Sequence, residues 1–308
     1  MPRAGFEFRR ISIEGLDRSN PLRALRALGK SLAATFTAWR LIGQLQPAAV
    51  LGGGGYVAGP VGAAAVLRRV PLILTEADSH FGLTNRLLAP FARRVCLAFA
   101  LDGRSGQKYR VTGRPIPPVA ADRASARNRF GLSEGARVVV VVGGSLGARS
   151  INEAALDAFG VDPNLSVIHA AGERDLASLQ ERPRGAGYQL FGYIDSFSDA
   201  LAAADLVVSR SGGSVFEIAA AGRPAILIPY PHAAADHQAG NARWMVQAGA
   251  ATIIADDDLS ADRLGREVER LLGNPQELER MAQASASIAR PDATEAVAAE
   301  LRAAGGAR

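Results

Sequence analysis

Three segments carry residue types and spacings that could hold an activated sugar. Gly143-Gly144-Ser145-Leu146-Gly147-Ala148 follows a run of five valines and precedes a helical pattern. Glycines at such a junction let backbone approach an anion, and the helix behind them offers unpaired N–H groups and a partial positive charge. With the Ser145 hydroxyl as a further donor, the segment reads as a diphosphate cradle or as a tight strand-to-helix connection. Ser209-Arg210-Ser211-Gly212-Gly213-Ser214-Val215-Phe216-Glu217-Ile218 repeats the arrangement after another apolar run. Glu217 falls in the first turns of its helix. One carboxylate there can accept both hydroxyls of a ribose, or only complement the macrodipole. In Asp236-His237-Gln238-Ala239-Gly240-Asn241-Ala242, the side chains of Asp236, Gln238 and Asn241 gather where a loop enters a helix. They suit sugar hydroxyls; N-capping by Asp236 alone is the structural alternative.

Two further segments lie earlier. Gly52-Gly53-Gly54-Gly55-Tyr56-Val57-Ala58-Gly59-Pro60 has four consecutive glycines, which cannot pack a core but can form a flexible wall or a second anion site. Thr75-Glu76-Ala77-Asp78-Ser79-His80-Phe81-Gly82-Leu83-Thr84-Asn85-Arg86 follows an apolar run directly. Polar groups at the C-terminal end of a parallel strand face a binding crevice, which makes Glu76 and Asp78 candidates. His80 reads as a surface or capping residue.

The elements that must position these groups recur as apolar run, glycines, helix. Strands are expected at Ala48–Leu51, Pro71–Leu74, Val95–Phe99, Arg137–Val142, Val167–Ala170, Leu206–Ser209, Ala225–Pro229 and Ala251–Ile254. Helices are expected at Val61–Arg69, at Leu87–Arg94 and from about Ser150. Continuous apolar strands alternating with helices indicate parallel sheets covered on both faces, an α/β doubly wound class. Gly113, Pro115, Pro117 and Pro118 interrupt the pattern. The expected division is 1–118, 119–290, and a C-terminal helix within 291–308 that crosses back to the first domain.

Composition sets the outer bounds. With 308 residues, 48% of them hydrophobic, the chain is long enough for two cores and too apolar for disorder. The lone Cys96 excludes an intrachain disulfide framework and a cysteine-based zinc site. The net charge of +5 comes from 35 basic against 30 acidic residues, which fits anionic partners but not a nucleic-acid tail. Ala48–Leu67 is uncharged, yet its six glycines and Pro60 favour strand, turn and helix over a membrane span. No secretory signal opens the chain, and a cytosolic protein, peripheral to a membrane at most, is expected.

In this order the segments resemble the MurG-type glycosyltransferases. The resemblance rests on Gly54-Gly55-Tyr56-Val57 with Gly59-Pro60, Gly82-Leu83-Thr84-Asn85, Gly143-Gly144-Ser145 with Gly147-Ala148, and Asp236-His237-Gln238 with Asn241-Ala242; it runs from about Phe6 to Ala304. It implies the GT-B architecture, two Rossmann-like domains facing a cleft. It also implies inverting transfer of N-acetylglucosamine from UDP-N-acetylglucosamine to a polyprenyl-diphosphate-linked muramyl-pentapeptide in peptidoglycan synthesis, at the cytoplasmic face of the plasma membrane. Carried over by position, Gly144 and Ser145 meet the donor diphosphate and the Ile194 backbone meets the uracil. Glu217 takes the ribose, and Gln238 with Asn241 takes the sugar. The helix behind Gly213 and Ser214 stabilises the leaving UDP. Gly54, Gly55, Tyr56, Glu76, Asp78 and Asn85 fall on the acceptor side. Neither a cofactor nor a divalent metal is implied, and no residue is assigned as general base.

The departures are local. No Gly-Gly-Thr-Gly-Gly-His loop precedes Phe6, although that loop contributes to acceptor binding in the family. Thr75-Glu76-Ala77-Asp78 stands where the family has His-Glu-Gln-Asn, Arg114-Pro115-Ile116-Pro117 where it has Asn-Pro-Val-Arg, and the Ser211–Phe216 turn is one residue shorter. A start codon set too late or a fragment is expected, with open sheet edges and poor solubility as consequences. Transfer to another lipid acceptor, and an inactive UDP-sugar-binding chain whose partner supplies the missing loop, remain open. A dinucleotide-dependent oxidoreductase is disfavoured, because Gly143-Gly144-Ser145-Leu146-Gly147 lacks the Gly-x-Gly-x-x-Gly spacing. Leu25, Leu28, Leu32, Phe36 and Trp39 follow helical spacing beside Arg23, Arg26, Lys30 and Arg40. They make either a surface for an anionic membrane or a core-facing helix with a solvated basic side.

Overall fold

A computed structural model describes residues 5–13, 21–120, 122–144, 146–233 and 236–306, the side chains of 21–25 excepted. The chain forms two compact units, one of Met1–Arg114 with Asp292–Arg308 and one of Pro115–Pro291. Each has its own core.

The first unit is a four-stranded parallel sheet ordered β1-β2-β3-β4, with β1 Val50–Gly52, β2 Leu72–Glu76, β3 Arg94–Leu97 and β4 Tyr109–Val111. Helices α1 (Pro21–Leu45), α2 (Gly55–Leu67) and α3 (Leu83–Leu88) pack around it. Helix α2 starts at the glycines rather than at Val61: Gly54 and Gly55 take φ of 80° and 68°, which turns the chain sharply enough for the helix to begin there. Helix α3 lies upstream of the expected Leu87–Arg94, because Gly82 opens it early and Pro90 cannot continue it. Strand β4 has a polar, exposed pattern that carries no apolar run to read. Phe6–Ile13 has no regular structure. The last helix of the chain, α12 (Ala293–Gly305), returns to this unit. It covers Ile73 and Cys96 with Val297 and Ala304, and Glu300 accepts from Arg94 and Arg110. Burial and Glu300 push the Cys96 thiol up to about 11, so it stays protonated and is no nucleophile.

The second unit opens with α4 (Arg123–Arg129), capped by Asp122, which accepts from Ala124 and Ser125 N–H. Its sheet has six parallel strands: β5 Val138–Val142, β6 Ser166–Ala170, β7 Tyr188–Phe191, β8 Leu206–Ser209, β9 Ala225–Leu227 and β10 Ala251–Ile253. The order is β10-β9-β8-β5-β6-β7, the doubly wound Rossmann arrangement. All five valines of β5 are buried, as a central strand covered on both faces requires. Helices α5 (Arg149–Phe159), α6 (Glu173–Gln180), α7 (Phe197–Ala203), α8 (Ser214–Ala220), α9 (His237–Gln247), α10 (Ala261–Leu272) and α11 (Pro275–Ile288) cover the two faces. Among the described residues no helix is long and apolar enough to cross a membrane.

Candidate functional site

Strand order reverses between β5 and β8, and ligands of such sheets bind outside the carboxyl ends of the strands at that switch point. The loops after β5, β7 and β8 carry Gly144, Ile194 and Gly213, and the first turns of α8 and α9 carry Ser214, Glu217, Gln238 and Asn241, so elements that follow the strands' carboxyl ends bear nearly all the expected donor residues. Ser145 lies outside the described residues.

The loop after β5 is fixed by close backbone contact. A Cβ on Gly147 would stand 2.0 Å from the Ala171 carbonyl oxygen, and one on Gly143 would stand 2.3 Å from the Ala148 nitrogen. Gly144, at φ +92°, has open space around it. Helix α5 begins behind this loop with no side-chain cap and no acid in its first turn, which leaves its N–H groups and partial charge to an anion.

The turn after β8 is tied to the start of α9. Ser211 Oγ donates to the Gln238 carbonyl at 2.8 Å, and Asn241 Nδ2 donates to the Ser211 carbonyl at 3.0 Å. Asn241 is fully buried. It therefore holds the turn from behind instead of facing a sugar, which corrects that expectation: helical spacing placed it beside Gln238 but could not show which way it faces. Gln238 Oε1 accepts from Tyr230 N–H at 3.0 Å, so its amide NH₂ is left toward Gly212 and the turn. Asp236 is the N-cap of α9 in a left-handed conformation and makes no side-chain cap bond. Glu217 stands in the first turn of α8, half-buried. Ile194 is buried while the preceding Tyr193 is exposed.

Behind the glycine loop runs a polar chain that the motifs did not reveal. Asn152 Nδ2 donates to Ala171 O at 2.9 Å and Asp175 Oδ2 at 3.2 Å, which fixes its Oδ1 as the acceptor for His169 Nε2 at 3.1 Å. His169 Nδ1 then accepts from the Tyr188 hydroxyl at 2.7 Å. Asp175 sits among Arg174 and Arg149, and the Arg174 hydrogen bond holds its carboxyl below the usual range. Burial pushes His169 down to about 4. Between about pH 4 and 6.5 the unfolded chain binds a proton that the folded one does not, so this contribution to stability is complete near neutrality and falls as pH drops. The loss should approach about 3 kcal/mol at pH 4, and His169→Gln should flatten it; urea unfolding between pH 7 and 4.5 measures both. A second group that no apolar period or glycine spacing marks is Arg210, at the end of β8.

On the first unit, Gly54 caps α2 and Tyr56 is exposed on its first turn. Glu76 does not face a crevice. It is buried, and its carboxylate accepts from Gly82 N–H at 2.9 Å, Asn85 Nδ2 at 3.0 Å and Ala77 N–H at 3.1 Å. Asn85, equally buried, also donates to Thr75 O at 2.9 Å. Both residues shape the loop, and Asp78 is left half-buried on it. On α1, the core side is Ala27, Ala34, Ala38 and Ile42, whereas Leu28, Leu32 and Phe36 are 52%, 66% and 59% exposed. The apolar stripe is thus outward, not core-facing; Leu25 and Arg23 lie outside the described side chains. No group of three His, Cys, Asp or Glu residues could hold a metal ion among the described residues.

The glycosyltransferase family 28 N-terminal domain matches residues 1–97 and its C-terminal domain residues 138–297. The chain belongs to glycosyltransferase family 28. Within family 28 it is 41% identical to the UDP-N-acetylglucosamine–N-acetylmuramyl-(pentapeptide) pyrophosphoryl-undecaprenol N-acetylglucosamine transferase of Moorella thermoacetica, over 96% of this chain and 85% of that protein. The transferase of the same name from Pseudomonas putida is 38% identical, over 96% and 84%. Among solved structures, MurG of Acinetobacter baumannii matches with a TM-score of 0.71 at 31% identity, over 90% of this chain and 79% of that one. Two parallel-sheet α/β units of family 28 are the GT-B architecture, and the resemblance to MurG-type enzymes holds.

Proposed function

We propose that the chain transfers N-acetylglucosamine from UDP-N-acetylglucosamine to an undecaprenyl-diphosphate-linked muramyl-pentapeptide, with inversion, as its named relatives do. The observation that carries this reading is the gathering of the glycine loop, the β8–α8 turn and the start of α9 at the switch point of the second unit. There the N-termini of α5 and α8, with Gly144, Ser145, Gly213 and Ser214, would take the diphosphate. Their N–H groups would stabilise the charge that develops on departing UDP. The Ile194 backbone would meet the uracil, Glu217 the ribose, and the Gln238 NH₂ a sugar hydroxyl, with Asn241 as its support. The acceptor hydroxyl would attack the anomeric carbon from the face opposite UDP, forming the new C–O bond as the C–O bond to phosphate breaks. Its proton passes to a base, and the product is β-linked.

The first unit would take the acceptor, with Gly54, Gly55, Tyr56 and Asp78 along its strand ends. The outward stripe of α1 supports a peripheral position at the cytoplasmic face of the plasma membrane. Arg68 lies 3.7 Å from the Trp39 ring centroid, and Arg40 stands 6.0 Å from that of Phe36. Aromatic and aliphatic groups flanked by bases suit an anionic bilayer. The test is transfer by the purified chain to the lipid acceptor in anionic vesicles. UDP should appear one-for-one with β-linked disaccharide, and Leu32→Glu should slow the reaction in vesicles but not with detergent-dispersed acceptor. No transfer by folded protein under either condition refutes the reading.

A further inference from the structure

One ion pair at the donor edge, a buried arginine with a half-buried carboxylate, lies outside every role assigned so far. Arg210, at the end of β8, is only 8% exposed. Its guanidinium donates to the carbonyls of Ile228 and Pro229, each at 3.2 Å, and to Asp256 Oδ1 at 2.5 Å. It also donates to Ser150 Oγ at 3.0 Å, and that hydroxyl donates in turn to the same Asp256 oxygen at 2.9 Å. Tyr230 lies alongside, its ring centroid 5.4 Å from the guanidinium carbon. Ser150 is the second residue of α5. The guanidinium therefore stands one side chain from the helix start where a diphosphate would sit, and it reaches the strand end that leads to Gln238.

A guanidinium cannot shed its proton. In a water-poor place its charge would act strongly on a nearby diphosphate unless something cancelled it. The two carbonyls and the Ser150 hydroxyl supply acceptors but no charge; Asp256 alone among the guanidinium's partners supplies that. Its neighbours Asp257 and Asp258 are exposed, so water screens them.

We propose that Asp256 sets how tightly the donor edge holds a nucleoside diphosphate: by neutralising Arg210 it withholds a buried positive charge and keeps the UDP product releasable. The inference rests on the donor-site reading and adds to it a residue that tunes affinity without touching the ligand. A purely structural role makes the opposite prediction. If Asp256 only braced Arg210, removing its charge would loosen the edge and weaken binding.

Calorimetric titration of the full chain with UDP, with melting temperatures alongside, separates the two. Asp256→Asn should bind UDP about tenfold more tightly than the parent. Asp257→Asn should stay within about threefold, as an exposed charge does. Arg210→Gln should bind about tenfold more weakly, because Asp256 is then uncompensated, and adding Asp256→Asn to it should tighten binding again. That second comparison reads the Asp256 charge even if the single Asp256 variant does not fold. Equal or weaker binding on removal of the Asp256 charge, in a folded protein of either background, overturns the proposal. A folded parent that does not bind UDP at all overturns the donor-site reading itself and removes the inference with it.

Discussion

UDP binding by Glu217→Ala should be about a hundredfold weaker than by the parent protein. On the proposed donor-site reading the Glu217 carboxylate, in the first turn of α8, accepts both hydroxyls of the ribose, and each hydrogen bond to a charged group contributes about 1.5–3 kcal/mol. Losing two removes about 3 kcal/mol, which is about two powers of ten in affinity. The same carboxylate complements the α8 macrodipole, worth about 0.3–1 kcal/mol, a term that by itself lowers the melting temperature by roughly 4 °C at most. Titration with UDP and with UDP-N-acetylglucosamine reads the effect directly. An affinity within about threefold of the parent would leave Glu217 as a helix-start acid only and would move the ribose elsewhere.

The second large effect concerns shape rather than charge. Gly147→Ala places a methyl group 2.0 Å from the Ala171 carbonyl oxygen, backbone against backbone, at φ +74°. Neither partner is the end of a flexible side chain. Overpacking of this kind costs about 1–3 kcal/mol and the left-handed conformation about 1–2 more. A melting temperature lower by roughly 10 °C is expected, with loss of measurable UDP binding, because the glycine loop must leave its seat on the turn after β6. Gly144→Ala is the internal comparison. Its φ is +92° but no atom lies within 4 Å of the added carbon, so only the conformational term of about 1–2 kcal/mol applies. If both variants melted alike, the contact between the glycine loop and Ala171 would carry no weight in holding the cradle.

What the sequence revealed follows from the kind of signal each feature leaves. Five adjacent valines and the glycines after them mark β5 and its loop unambiguously, because a buried central strand and a close backbone approach each demand one residue type. Tyr109–Val111 and Tyr188–Phe191 lack such a run and leave no strand signal: one is polar and exposed, the other mixes Gln189 among apolar residues. The direction a side chain takes is invisible at this level. Gln238 and Asn241 are three apart on one helix, yet one amide is held by the Tyr230 N–H and the other is sealed behind the turn. Glu76 has the same lesson. A carboxylate after a parallel strand reads as a ligand group, but three donors of its own loop and helix already occupy it. Pairing between distant segments was hidden most completely. Arg210 and Asp256 are 46 residues apart, and only the fold brings Asp256 to Arg210 and to Ser150 at the start of α5.

The return of α12 to the first unit has a consequence for the order in which the chain can fold. Residues Pro115–Pro291 form a contiguous unit whose described strands and helices all precede α12, so it can condense before α12 is made. The first unit cannot. The face of β2 and β3 that presents Ile73 and Cys96 finds its cover in Val297 and Ala304, and Arg94 and Arg110 find their shared carboxylate in Glu300, all within α12, which is made after the whole second unit. The segment made before the second unit is thus completed only after it. Any chain that stops short of Ala293 leaves an apolar strip on a parallel sheet open to solvent and to its neighbours, even though its second unit is intact.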